Sequence, residues 1–276
     1  MLSGRLSAAV EFENVLSNLS CGLIVGYDVG SAGSNQGLGG MVQAGIGNPG
    51  MFYISEWVPA VAPDQPSNLV THAATGNRAN LKPSVRYQMA VTVQGSDMSL
   101  SVNGVDVAEA RLPSRPVKRR EVGLFCQSTG KITIRDFRAE AAEPQAFIVM
   151  QFSSPYNEVY SSAIKGVCTE MRISPVRADE IYGPGIIIQD VIDRIARSQL
   201  VIADITPPNQ NVYFEVGYAL ALGKPIILLA RTPAAGDRLP FDLSGFRVLF
   251  YEDSIGGKPM LEAGLRRHLQ EILGTE

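Results

Sequence analysis

Histidine is almost missing from this chain: His72 and His268 are the two copies in 276 residues, and they fall in different halves. Neither has a partner motif, so no Ser-His-Asp arrangement and no histidine metal centre is supported, and both read as surface or packing residues. Cysteine is nearly as scarce. Cys21, Cys126 and Cys168 are odd in number, far apart and without C-x-x-C spacing, which argues against a disulfide framework or a zinc site and suits a reducing, cytoplasmic setting. Long runs of positive charge are absent too: net charge is -3 and the pI is near 5.6, so there is no electrostatic footprint for nucleic acid. The one basic cluster, "RPVKRR" from Arg115 to Arg120, reads as a solvated loop or hairpin. No apolar run reaches the ~18 residues of a membrane span, and the first residues, "MLSGRLSAAVEFENV", lack the apolar block of a signal peptide. Neither G-x-G-x-x-G after a first strand nor G-x-x-x-x-G-K-[ST] occurs, so a hydride-transfer dinucleotide site and a P-loop are both unsupported. These absences lead us to expect no metal, no cofactor, no nucleic acid and no membrane.

What is present is an ordinary globular composition, 45% hydrophobic and 18% charged, whose pattern changes midway. Residues 1–140 are short β-type runs broken by turn residues: "AAVEFEN", "CGLIVGY", "GMVQAGI", "MFYISEW", "VRYQMAVTVQ", "MSLSVNG", "VDVAEARL", "EVGLFCQ" and "KITIRDFRAE". Period-two alternation around Asn103-Gly104 predicts a tight hairpin, and many short strands without helical periodicity predict an all-β sandwich. Phe52, Tyr53 and Trp57 read as core packing in preference to a ligand platform. "EAAEPQ" then reads as a linker, and residues 146–276 alternate strand and helix. "AFIVMQF", "ISPVRA", "SQLVIADI", "KPIILLA" and "FRVLFY" are the strands, and Tyr156, Val159, Tyr160, Ala163, Ile164 and Val167 illustrate the helical spacing between them. Such alternation builds an α/β doubly wound parallel sheet of five strands, flavodoxin-like in order.

Ligands of such sheets sit beyond the carboxyl ends of the strands, where the strand order reverses. That rule selects the loop "MQFSSPYN" after the first strand and "DITPPNQN" after the third. It also selects "ADEIYGPG" after the second, with Asp179, Tyr182 and Gly183, which can close over the same crevice. Asp204 ends the third strand. Glu215 lies in the first or second turn of the next helix, so both carboxylates are expected to face one cleft and to act there as the catalytic residues. Each has a plainer reading: Asp204 as a cap of the turn carrying Pro207 and Pro208, Glu215 as an acid favouring the helix dipole, with Asn211 as N-cap. Phe214 and Val216 beside Glu215 are expected to crowd its carboxylate and raise its pKa.

"VIADITPPNQNVYFEVGYALALGKPIILL", with "FIVMQF" upstream and "RADEIYGPGIIIQDVIDRIARSQ" between, resembles the nucleoside 2-deoxyribosyltransferase-like group, itself similar in fold to TIR-like nucleotide-processing domains. The resemblance implies that Glu215 is the nucleophile attacking an anomeric carbon and that Gln151, Phe152 and Ser153 line the base or sugar pocket. Asn211 and Tyr218, on the same helix, complete the expected substrate contacts. The sequence departs from the family where Asn209 stands in place of an acid six residues before the nucleophile, and Asp190 is a loose match to a second family carboxylate. A neutral base leaves poorly without protonation, whereas nicotinamide departs from a cationic pyridinium, so the departure points to an NAD-like substrate. The N-terminal order "YQMAVTVQGSDMSLSVNGVDV…VGLFCQSTGKITIRDFRAE" resembles concanavalin-like, laminin-G-like sandwich modules.

Together these readings give an NAD(P)-type glycohydrolase, with family analogy pointing to a bacterial defence or stress effector. It is expected to form a homo-oligomer, with a glycan or protein ligand on the sandwich. Two rivals stand: a nucleoside 2-deoxyribosyltransferase or nucleoside hydrolase, and a non-catalytic nucleotide-sensing module.

Overall fold

In the computed structural model the described residues are 3–27, 40–58, 68–112, 121–180, 187–233 and 245–273. The chain divides into two compact units whose boundary falls between Ala142 and Glu143.

The first unit is built from ten strands: β1 (Gly4–Phe12), β2 (Ser20–Tyr27), β3 (Met41–Gly47), β4 (Phe52–Val58), β5 (Asn68–Thr75), β6 (Arg86–Gln94), β7 (Asp97–Val102), β8 (Val105–Arg111), β9 (Glu121–Gln127) and β10 (Ile132–Ala141). They form two five-stranded antiparallel sheets, ordered β10-β1-β6-β7-β8 and β5-β4-β3-β2-β9. Alternate residues of both sheets, among them Leu6, Val10, Phe12, Leu23, Ile46, Ile54, Met89 and Leu100, meet in one core, which makes the unit a sandwich. The predicted hairpin joins β7 to β8 through Asn103 at φ 51 and Gly104 at φ 79, a pair of left-handed residues that matches the twist of the strands. Tyr53 is fully buried, and its hydroxyl lies 2.8 Å from that of Ser20.

One strand escapes the sequence reading. β5, "NLVTHAAT", is an edge strand with no fully buried residue, so it carries little hydrophobic signature. His72 belongs to it and pairs with the buried Glu56 of β4 at 3.2 Å. The cysteines also read differently in three dimensions: Cys21 of β2 and Cys126 of β9 stand directly opposite one another in the ladder. The basic cluster Arg115 to Arg120 lies outside the described residues.

The second unit holds β11 (Gln145–Val149), β12 (Ser174–Arg177), β13 (Leu200–Asp204), β14 (Ile226–Arg231) and β15 (Val248–Tyr251), all parallel, in the order β12-β11-β13-β14-β15. This is the flavodoxin-like 2-1-3-4-5 order, which reverses between β11 and β13. Helix α1 (Tyr156–Val159) runs through a π-helical turn, Tyr160–Ile164, into α2 (Lys165–Glu170), followed by α3 (Ile187–Arg197), α4 (Gln210–Ala221) and α5 (Gly257–Leu273). Alternation along the strands sends Ala146, Ile148, Ile202 and Leu229 to one core with Ile164, Leu261 and Leu265. It sends Phe147, Val149, Val201 and Ala203 to another with Val191, Ile195, Val212 and Val216. Thus α1, α2 and α5 cover one face of the sheet, and α3 and α4 cover the other. Gly223, at φ 66, ends the stretch that begins as α4, and Lys224 follows. The Lys224 ammonium is buried and donates to the carbonyls of Ala196 and Ser198, at 2.5 and 2.6 Å, closing the C-terminal end of α3.

Among the described residues no helix is long and apolar enough to cross a membrane. Nor do they contain a group of three or more His, Cys, Asp or Glu placed to hold a metal ion.

Candidate functional site

At the β11/β13 reversal the loop after β11 meets the N-terminal end of α4. Asn209 is the N-cap of α4: its side-chain oxygen accepts from the Asn211 backbone N–H at 2.8 Å, and its backbone is extended. The sequence reading gave that place to Asn211, which is instead an exposed residue of the first turn. Cap choice turned on backbone geometry here, since both asparagines carry the same side chain. The other half of the Asn209 amide donates to the side-chain oxygen of Gln151, and the Gln151 amide reaches the Ser153 hydroxyl at 3.4 Å. Gln151, Ser153, Asn209 and Asn211 are therefore tied into one rim that spans the reversal point. Phe152, in the same loop, is half-buried.

Glu215 lies in the second turn of α4 and is partly buried. Burial pushes its carboxyl up from 4.5 to about 7. Among the described residues it makes no hydrogen bond and no ion pair. The cause differs from the expected one. Successive residues of a helix point in different directions, so Phe214, 49% exposed, faces away from Glu215, and Val216 turns into the core. The neighbours on the face of Glu215 are those three and four residues away: Val212 and Ala219, both buried, with Asn211 and the half-buried Tyr218.

Asp204 does not share that setting. It is 1% exposed, accepts a 2.7 Å bond from the Tyr251 hydroxyl and a 3.0 Å bond from the Thr206 backbone N–H, and is raised to about 6 by burial against the opposing pull of those two bonds. Two-residue alternation places it on the face of Ile202 and Tyr251, covered by α5, whereas α4 covers the other face. The expectation that both carboxylates face one cleft is therefore corrected: Asp204 looks toward β15, away from the β11/β13 reversal. Thr206, which it holds, accepts in turn from the Arg231 backbone N–H at 2.9 Å. Asp204 thus organises the loop that leads to α4.

Asp179 is engaged as well, in a two-pronged ion pair with Arg177, whose Nε donates at 2.8 Å. Asp190 sits half-buried in the first turn of α3, and no hydrogen bond ties it to the other candidates among the described residues. Tyr182 and Gly183 lie outside the described residues. The sequence reading missed Arg177 and Tyr251. Arg177 is buried at the carboxyl end of β12, donates to the Asn157 side-chain oxygen at 3.0 Å, and stacks over Phe152 and Tyr160, 4.9 and 4.5 Å from their ring centres. It thereby fixes the loop that carries Gln151 to Ser153. A charged residue closing the apolar strand "ISPVR" was the available signal.

The fold and site define a flavodoxin-like α/β domain whose helix after the third strand carries Glu215, without a hydrogen bond or ion pair among the described residues. Residues 158–244 match the model of the nucleoside 2-deoxyribosyltransferase family. Over 77 residues, 28% of this chain, the sequence is 29% identical to the 5-hydroxymethyl-dUMP N-hydrolase of Rattus norvegicus, and the match spans about half, 47%, of that protein. Among solved structures, the 2-deoxyribosyltransferase of Bacillus psychrosaccharolyticus is similar over 40% of this chain and 86% of its own, at 15% identity and a TM-score of 0.32. The carbohydrate-binding module CBM66 of Bacillus subtilis is similar over 51% of this chain and 76% of its own, at 8% identity and a TM-score of 0.36.

Proposed function

We propose that the α/β domain breaks or transfers the N-glycosidic bond of a nucleoside or nucleotide, with Glu215 attacking or stabilising the anomeric carbon. The observation that carries this reading is the state of Glu215: partly buried, unpartnered among the described residues and raised to about 7. A carboxylate stripped of water and of hydrogen-bond donors is more reactive toward an electron-poor carbon than one already satisfied. The family match over residues 158–244 supports the same bond as the target. Gln151, Ser153, Asn209 and Asn211 would contact substrate hydroxyls or base, with Phe152 and Tyr218 as the aromatic contacts. Asp204 acts as a positioning residue, through Thr206.

The finer reading is an NAD-type substrate. Asn209 is committed to the N-cap and to Gln151, so no acid stands at that position to protonate a departing base. A pyridinium needs none, because it leaves as neutral nicotinamide. A nucleoside monophosphate is the second reading, favoured by the match to the rat N-hydrolase.

Incubating the full chain with NAD, with nucleosides and with nucleoside monophosphates, and measuring free base by chromatography, tests both. Nicotinamide release faster than release of any neutral base supports the first; faster release from monophosphates selects the second. No base from any of them overturns the proposal. Asn209→Asp, which restores an acid, is expected to raise turnover of neutral-base substrates relative to NAD severalfold, on the order of 10-fold. An unchanged ratio would assign substrate choice to the shape of the pocket.

A further inference from the structure

The cysteines of the sandwich stand in an arrangement that nothing in the glycosidic chemistry uses. Cys21 and Cys126 are directly opposite on the antiparallel strands β2 and β9, and their sulfurs are 3.1 Å apart. Opposed residues in such a ladder have Cα atoms about 4.5 or 5.5 Å apart, and both spacings lie within the roughly 4.4–6.8 Å span that a disulfide bridges. The two thiols are unequal. Cys126 is exposed on an edge strand, whereas Cys21 is fully buried in the sandwich core. We propose that this pair is an oxidation site, at which a hydroperoxide converts the two thiols into a reversible cross-strand disulfide.

The chemistry follows from that inequality. The S–H···S contact between the two sulfurs holds Cys126 below the ordinary thiol range, while the same contact and burial push Cys21 far above it. Thiolate character and exposure are what select a cysteine for oxidation, so Cys126 reacts first. Its sulfur attacks one peroxide oxygen, the O–O bond breaks, and hydroxide or alkoxide leaves to take up a proton, giving the sulfenic acid. The Cys21 sulfur then attacks the sulfenic sulfur, the S–O bond breaks, and water departs with the Cys21 proton. Two thiols and one hydroperoxide thus yield one disulfide, one water and one alcohol, or a second water when the peroxide is hydrogen peroxide. A dithiol reductant reverses the change. The new bond ties the edge strand β9 to β2 across 105 residues of sequence, which removes freedom from the unfolded chain. Cys168 is an internal control: it is buried in the α/β unit, and burial pushes its thiol up to about 12.

The test is to treat the full chain with hydrogen peroxide, then count thiols and map peptides by mass spectrometry. We expect two of the three free cysteines to become unreactive, a linked Cys21–Cys126 peptide, a mass lower by two hydrogens and an unmodified Cys168. Dithiothreitol should restore all three, and the oxidised protein should melt at a higher temperature than the reduced one. Cys126→Ser, a change at an exposed position, should retain two free thiols after the same treatment. In Cys21→Ala, Cys126 should be trapped as a sulfenic acid that reacts with dimedone. Three thiols surviving peroxide in the wild-type chain would overturn the proposal. So would a sulfinate on Cys126 beside a free Cys21, or disulfides formed only between chains.

Discussion

The end of β13 and the second turn of α4 each hold a carboxylate that burial has raised, Asp204 to about 6 and Glu215 to about 7. Their surroundings differ. Asp204 receives the Tyr251 hydroxyl and the Thr206 amide, and Glu215 receives nothing among the described residues. Removal from water is common to both; what separates them is whether donors replace the water. A buried acid with its donors in place holds a loop together. One without them keeps its charge available for chemistry, and the fold bears the cost.

The sharpest way to break this contrast is to remove the charge from each side. Glu215→Gln is expected to lower kcat on the order of 10³-fold or more while leaving substrate affinity nearly unchanged, since the amide has the same shape without the charge. The same variant should be at least as stable as the wild type at pH 8, because a carboxyl whose folded pKa is raised makes the fold lose stability as pH climbs from its unfolded value toward 7. Stopped-assay kinetics paired with calorimetry decides it, and wild-type turnover in a folded variant would remove Glu215 from the reaction.

Acidity gives a second, smaller handle. If Glu215 acts as its carboxylate, kcat/KM should rise with pH along a limb centred near 7, so that activity at pH 5.5 is roughly 30-fold below its plateau. A rate profile flat between pH 5 and 8, with a stable fold throughout, would contradict the role.

The smallest effect belongs to the other carboxylate. Tyr251→Phe deletes a donor to a buried acid and should cost about 1–3 kcal/mol of stability. The sign of its pH dependence is fixed. Asp204 is raised in the folded state, so its contribution to stability falls as pH rises from about 4 through 6. Losing the Tyr251 bond raises it further and extends that fall, so the loss measured by denaturation should be larger at pH 8 than at pH 5. A loss of equal size at both values would show that Asp204 stays protonated throughout.

The two regions were not equally legible in the sequence. Strand order in the α/β unit follows from apolar runs separated by helical spacing, and the hairpin at Asn103-Gly104 follows from local backbone preference. Glu215 was found by its place on a helix after a strand, yet its surroundings were misjudged because sequence neighbours were taken for spatial ones. The partner of Asp204 lies 47 residues away on a strand two positions over, and no local pattern encodes that meeting. The same holds for Arg177, whose aromatic partners come from another loop and helix, and for β5, an edge strand with little apolar content to announce it.

Lys224 has a consequence for how relatives of this chain are recognised. The "GKP" that follows the glutamate helix is a conspicuous signature, but its lysine is spent fastening the end of α3 beneath the start of β14, with its ammonium sunk among carbonyls. A distant sequence sharing only that tripeptide shares a fastening and inherits no reaction from it. On the reaction proposed above, the residue to look for when sorting active copies from inert ones is the acid nine positions earlier.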